Sequence, residues 1–279
     1  RFHKDHRWGN FWSVGASWRI SQEAFMEPAS SWLSNLTLRA SYGVQGNDNL
    51  GSFYVWQGRF NYGWSNGTRP GAIAGSIENR LVTWEKNGNL NIGVDATFLK
   101  GRLSAIVEYY NRKTWDMLLN NPLAISSGFS GYDDNVGSML NQGMEFTMRA
   151  VIFEKPNFHW DATAMLSFNR NKVLSLTSGQ DVLNYGSMVI EVGKPIYTFY
   201  LSKSAGVSPA TGKQLYYCYY RYAVDEKGAM VTERCPEYVT DDVSLATMSK
   251  YYYGSRQPLF SGSIASNFTI FKDFDLSFL

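Results

Sequence analysis

Residues 135–150, NVGSMLNQGMEFTMRA, interleave two sets of side chains. Asn135, Gly137, Asn141, Gly143, Glu145, Thr147 and Arg149 fall on one parity, with Met139 among them. Met144, Phe146, Met148 and Ala150 fall on the other. Successive side chains of a β-strand point to opposite faces, so a strand sorts these two sets cleanly where a helix of period 3.6 would mix them. The pattern recurs along the chain. Trp12, Val14, Ala16, Trp18 and Ile20 alternate with Ser13, Gly15, Ser17 and Arg19. Leu36 to Val44, Leu90 to Phe98, and Phe158 to Phe168 do the same, with Arg39 and Asp95 on polar parities. Leu103 to Tyr109 is a further strand, carrying Glu108 on its polar side and blurred by Ile106 and Tyr110. A seventh runs from Phe260 to Ile270 and an eighth begins at Phe274. The fold class is therefore all-β.

The spacing of these strands is uneven. LKGR joins Phe98 to Leu103, VIFEKPN joins Ala150 to Phe158, and FKD joins Ile270 to Phe274. Between them lie long segments, about 45–88, 111–134 and 171–258. Residues 21–34 are intermediate and suit a short helix capped by Ser21. Short turns at one end and long loops at the other describe an up-and-down antiparallel sheet.

Alternation does not say which face meets oil, because a soluble β-sandwich also has one apolar face. Three features favour lipid. The strands run about ten residues, enough for a tilted membrane crossing. Aromatics, 16 % of the chain, gather toward the strand ends, as an interfacial girdle requires. The polar faces are rich in Asn, Ser, Thr and Gly, which suits a hydrated lumen. No apolar run approaches the length of a spanning helix, so a membrane reading requires a barrel. A net charge of +2 and the lack of a Lys/Arg run give no sign of nucleic acid. The polar start, RFHKDHRWGN, and the end, KDFDLSFL, both read as cuts through a longer chain.

RWGNFWSVGASWRISQEAFM (7–26), WLSNLTLRASYGVQGNDNLG (32–51), WEKNGNLNIGVDATFLKGRLSAIVEYYNRKTWDML (84–118) and NVGSMLNQGMEF (135–146) resemble the SusC/RagA family of TonB-dependent outer-membrane transporters. GKPIYTFYLSKSAGVSPATGKQLYY (193–217) and FKDFDLSFL (271–279) resemble later segments of the same barrels. The resemblance implies a multi-pass outer-membrane barrel of 22 strands, of which residues 1–279 would hold seven or eight, without the plug domain. It also implies TonB-driven uptake of oligosaccharides or peptides, with a SusD-like lipoprotein over the mouth. A soluble carbohydrate-binding β-sandwich and a passive porin are the alternative readings.

No catalytic constellation is present, and no cofactor or metal is expected: His3, His6 and His159 sit in no metal or triad motif. GNDN (46–49) and YDDN (132–135) read as turns rather than calcium loops. Arg19, Arg39, Asp95, Glu108, Glu145 and Arg149 are expected to face the lumen, paired across strands or with a plug. FYVWQGRFNYGWSNGTR (53–69) is the expected binding segment. Trp56, Tyr62 and Trp64 offer flat faces for sugar rings, and Arg59, Asn61 and Asn66 offer groups for hydroxyls; stapling the loop or meeting the lid is the competing role. Finally, a two-residue turn at Glu226–Lys227 sets Cys218 opposite Cys235, so a disulfide is expected in this outward-facing loop.

Overall fold

The computed structural model describes residues 1–176 and 181–279, with every strand side chain except that of Asn66. The part of the expected 171–258 loop at 177–180, and the Asn66 side chain, lie outside the described residues. The chain forms two compact units, Arg1–Gly179 with Pro258–Leu279, and Gln180–Gln257.

In the first unit the strands are β1 (Trp12–Trp18), β2 (Leu33–Asn47), β3 (Arg59–Asn66), β4 (Arg69–Ser76), β5 (Glu85–Phe98), β6 (Leu103–Trp115), β7 (Leu118–Pro122), β8 (Gly131–Asn135), β9 (Ser138–Lys155) and β10 (Phe158–Ser175). The second holds β11 (Val182–Tyr185), β12 (Met188–Glu191), β13 (Thr198–Val207), β14 (Gln214–Val224), β15 (Met230–Thr240), helix α1 (Val243–Met248) and β16 (Lys250–Ser255). β17 (Phe260–Ile270) and β18 (Phe274–Phe278) return to the first unit.

The principal sheet has eight strands in the order β1-β2-β5-β6-β9-β10-β17-β18, every pair antiparallel. Each alternating segment of the sequence supplies one of them. The strands extend beyond the alternation, because the ladder continues on polar residues: Asn47 still pairs with Glu85, and Lys86 with Trp115. The segment expected to join Ala150 to Phe158 is mostly strand. A register shift between Trp160 and Asp161 leaves Ile152 unpaired, which brings Phe153 opposite Trp160. Such a bulge changes which face a following residue presents. The turn itself is only Pro156–Asn157.

The apolar rows are open. Val14, Ile92, Val94, Met148, Leu166 and Ile264 are all exposed. A sandwich would bury these rows under a second sheet, so the sandwich reading fails here. Aromatics mark both ends of the rows. Trp160 stacks on Phe153 and Phe268 at centroid distances of 5.9 and 5.4 Å near the short turns. Trp12 meets Tyr42 edge-on toward the long loops. The indole N–H of Trp160 donates to Ser266 Oγ at 3.0 Å, so the polar edge of that half-buried ring is satisfied.

Between β1 and β2 the expected short helix is present as two 3-10 helices, Ile20–Gln22 and Ala24–Ala29, without the expected cap. Ser21 lies inside the first turn and caps nothing. Pro28 inside the second removes one backbone donor and crowds the preceding turn. Residues 132–135 are also not a turn; they end β8.

Candidate functional site

On the polar face, the register brings Arg39, Gly93 and Glu108 side by side on β2, β5 and β6. The guanidinium of Arg39 donates from Nε to Asp95 Oδ2 (2.7 Å), and from Nη2 to Asp95 Oδ1 (2.9 Å) and Glu108 Oε1 (3.0 Å). It reaches Glu108 by lying across β5 at Gly93, where an added Cβ would stand 3.1 Å from Nη2. Three of the expected lumen charges therefore form one network, each a quarter to a half exposed. At that exposure the network contributes about 1 kcal/mol per pair at most.

Arg149 joins a second group. Its Nε lies 3.4 Å from Asp161 Oδ2, which also accepts from Asn267 at 3.2 Å, while His159 Nε2 is 3.3 Å from Asp161 Oδ1. Asp161 is 6 % exposed. Nothing in its alternating context marked it as the buried hub of a three-strand cluster; only the β9-β10-β17 register does. Glu145 is exposed and stands directly opposite Glu108 across β6–β9. Arg19 is not on the wall: β1 ends at Trp18, and Arg19 caps the following turn, its carbonyl accepting Gln22 N–H at 3.1 Å.

The aromatic segment becomes a two-stranded hairpin, β3–β4, with Tyr62 83 % and Trp64 56 % exposed. Arg59, Tyr62 and Trp64 share β3. Trp56 precedes the hairpin and packs edge-on against His3, centroids 5.2 Å apart. The structure thus joins three of the four expected contact residues on one element and gives the fourth a packing partner.

The base of the loops is knitted by Asn135 and Asn47, both expected in turns, and by Glu85, which sequence reasoning did not single out. Asn135 accepts from Thr83 N–H (2.7 Å) and donates to the carbonyls of Thr83 (3.0 Å) and Asp116 (2.8 Å). Glu85 accepts from the Asn47 side chain and from Leu118 N–H, both at 3.1 Å. Val82 and Val136, fully buried, lie beside these bonds in the chain.

In the second unit the expected disulfide is absent; both cysteines are free, and Cys218 is buried against Leu245 and Ala246. The hairpin register explains this. Asp225 caps Lys227 and Ala229 N–H with its side chain, and Gly228 takes φ 79°, so the loop spans 225–229 rather than two residues. Val224 then pairs with Met230, one step out of the expected register. A second shift beside Pro236, which has no N–H to pair, sets Cys218 opposite Tyr238. Burial pushes the Cys218 thiol up, which suits an inert packed side chain.

Comparison with known proteins agrees with this architecture. Residues 1–276 match the family described as TonB dependent receptor-like, beta-barrel. The chain is 29 % identical over 293 residues to the TonB-dependent receptor SusC of Bacteroides thetaiotaomicron, covering 100 % of this chain and 28 % of that protein. It is 33 % identical over 210 residues to TonB-dependent receptor P39 of Formosa agariphila, covering 74 % of this chain and 20 % of that one. Among solved structures, the RagAB peptide transporter superposes with a TM-score of 0.80 at 30 % identity, covering 97 % of this chain and 29 % of that one. The chain spans less than a third of the length of each of these relatives.

Proposed function

This chain belongs to the TonB-dependent receptor-like β-barrel family, within its SusC/RagA branch, and from that premise we propose that it is a wall segment of an outer-membrane importer of oligosaccharides. Uptake is driven through TonB and proceeds beneath a SusD-like surface lipoprotein. The observation that carries the reading is the eight-stranded meander with open apolar rows on one face and paired Arg, Asp and Glu on the other. Open apolar rows suit acyl chains, and a charged, amide-rich wall suits a wet interior. Tyr62 and Trp64 are exposed on β3 with Arg59, and the bulge at Gly63 turns the two rings to opposite faces of the hairpin, so that each offers a first saccharide contact at the mouth, while Trp56 supports the hairpin's approach through His3. Peptides are the second cargo class, favoured by the name of the RagAB neighbour.

The test is uptake of labelled oligosaccharides and of a labelled peptide digest by cells that depend on the intact importer. Saccharide uptake that stops when TonB is removed supports the reading. Uptake that continues without TonB would mean a passive pore, and uptake of the peptide digest alone would select the second cargo. Replacing Tyr62 and Trp64 with Ala together is expected to weaken saccharide binding roughly tenfold, the loss of about 1.4 kcal/mol of stacking. Unchanged binding would leave the hairpin a structural or lid-contacting role.

A further inference from the structure

On the polar face, β6 carries a tyrosine where the alternation calls for a small polar residue. Tyr110 on β6 shares the parity of Glu108 and Arg112. The register lines up Asn91, Tyr110, Gly143 and Asn169 on four successive strands, β5, β6, β9 and β10. The Tyr110 hydroxyl donates to Asn169 Oδ1 at 3.0 Å. That acceptor is two strands away, a separation of about 9.6 Å at the usual interstrand spacing. A tyrosine spans such a gap only by lying down along the wall. Gly143 makes room for it: a Cβ there would stand 2.5 Å from the Tyr110 oxygen and 2.1 Å from the Phe168 carbonyl oxygen. The ring is thus pinned by its hydroxyl, with its outer end lying over the backbone at Gly143.

Around it lies a hollow of about 490 Å³, lined by Asn91, Tyr110, Arg112, Asn141, Glu145 and Asn169. That volume falls within the range of small-ligand sites. Arg112 Nε donates to Asn89 Oδ1 at 2.7 Å, and Asn141 Oδ1 accepts from Asn171 at 2.7 Å, which fixes two rim groups in place. We propose that this hollow is a saccharide-binding subsite on the barrel wall, with Tyr110 as the stacking floor. A hexose presents a C–H face that packs on an aromatic ring, and its ring edge carries adjacent hydroxyls. Amides, a guanidinium and a carboxylate set around a flat floor can each donate to or accept from those hydroxyls. A peptide needs, in addition, apolar recesses for its side chains, and this rim is made of polar groups. The subsite rests on the reading of the protein as an oligosaccharide importer and adds to it a contact inside the lumen, separate from the β3–β4 hairpin.

The experiment uses the intact importer, with wild type, Tyr110→Phe, Tyr110→Ala and Arg112→Ala each checked for assembly in the outer membrane. Calorimetry measures binding of a panel of neutral hexose hexasaccharides and of a tryptic peptide digest. At least one hexasaccharide is expected to bind wild type. Tyr110→Phe keeps the floor and should stay within about threefold; Tyr110→Ala removes it and should lose about tenfold or more. Arg112→Ala should weaken binding severalfold with the floor intact, and it decides the matter if Tyr110→Ala does not assemble. Saccharide binding by wild type that is unaffected in Tyr110→Ala, or in Arg112→Ala where the former does not assemble, overturns the subsite and spares the importer reading. A wild type that binds only the peptide digest, or neither probe, overturns the saccharide reading and this subsite together.

Discussion

Tyr219 shows how much a single side chain's surroundings decide. It lies in the second unit, partly buried, with its hydroxyl donating to the Lys250 carbonyl at 2.7 Å. Burial, reinforced by Tyr200, pushes its phenol up to about 12. Tyr251 is pushed up as well, first by burial and then by its hydrogen bond to Glu237. For an acid whose folded value lies above the unfolded one, the stabilisation is complete below the unfolded value of about 10 and is lost as pH rises through the folded value. Unfolding at alkaline pH should therefore set in between about 10 and 12. Phenolate absorbance during titration is expected to show one fewer late-ionising tyrosine in Tyr219→Phe than in wild type. A wild-type-minus-variant difference centred near 10 would contradict the burial argument.

At the scale of the element, the strands of the principal sheet are tied by side chains that cross a neighbour at a glycine. Arg39 crosses β5 at Gly93 and Tyr110 crosses β9 at Gly143. The two glycines are not equivalent. At Gly93 the nearest atoms to an added Cβ belong to the flexible end of Arg39, at 3.1 and 3.3 Å. At Gly143 they include a backbone carbonyl oxygen at 2.1 Å. Gly93→Ala should change stability by about 0.5 kcal/mol or less, while Gly143→Ala should cost about 1–3 kcal/mol through overpacking. Heat-dependent electrophoretic mobility of the detergent-solubilised barrel reads the difference, and equal midpoints for the two variants would refute the distinction.

For the whole molecule, the decisive property is which face of the sheet touches lipid. Ile264 on β17 is 73 % exposed within an apolar row, and Ser263 beside it points to the opposite face. Arginine near the middle of a lipid-facing strand costs about 2–4 kcal/mol, and lumen positions tolerate it. Ile264→Arg should therefore lower the amount of the barrel assembled in the outer membrane, while Ser263→Arg should assemble normally. The opposite ranking, measured by quantitative blotting of membrane fractions, would reverse the orientation on which the transport reading stands.

Alternation by itself determined the strand type, the location of all eight wall strands and the two chemically distinct faces, because the two-residue period of a strand is a local property written directly into the residue order. The parity of Arg39, Asp95, Glu108, Glu145 and Arg149 followed from the same period. Registers, bulges and turn lengths did not, since each is settled by pairing with a distant segment. That is why Cys218 meets Tyr238 instead of Cys235, why Arg19 leaves the wall, and why Phe153 comes to Trp160. Asp161 as a buried hub and Tyr110 as a reclining ring emerge only when three or four strands are laid side by side, for Tyr110 reaches Asn169, 59 residues on, and Asp161 reaches Asn267, 106 residues on.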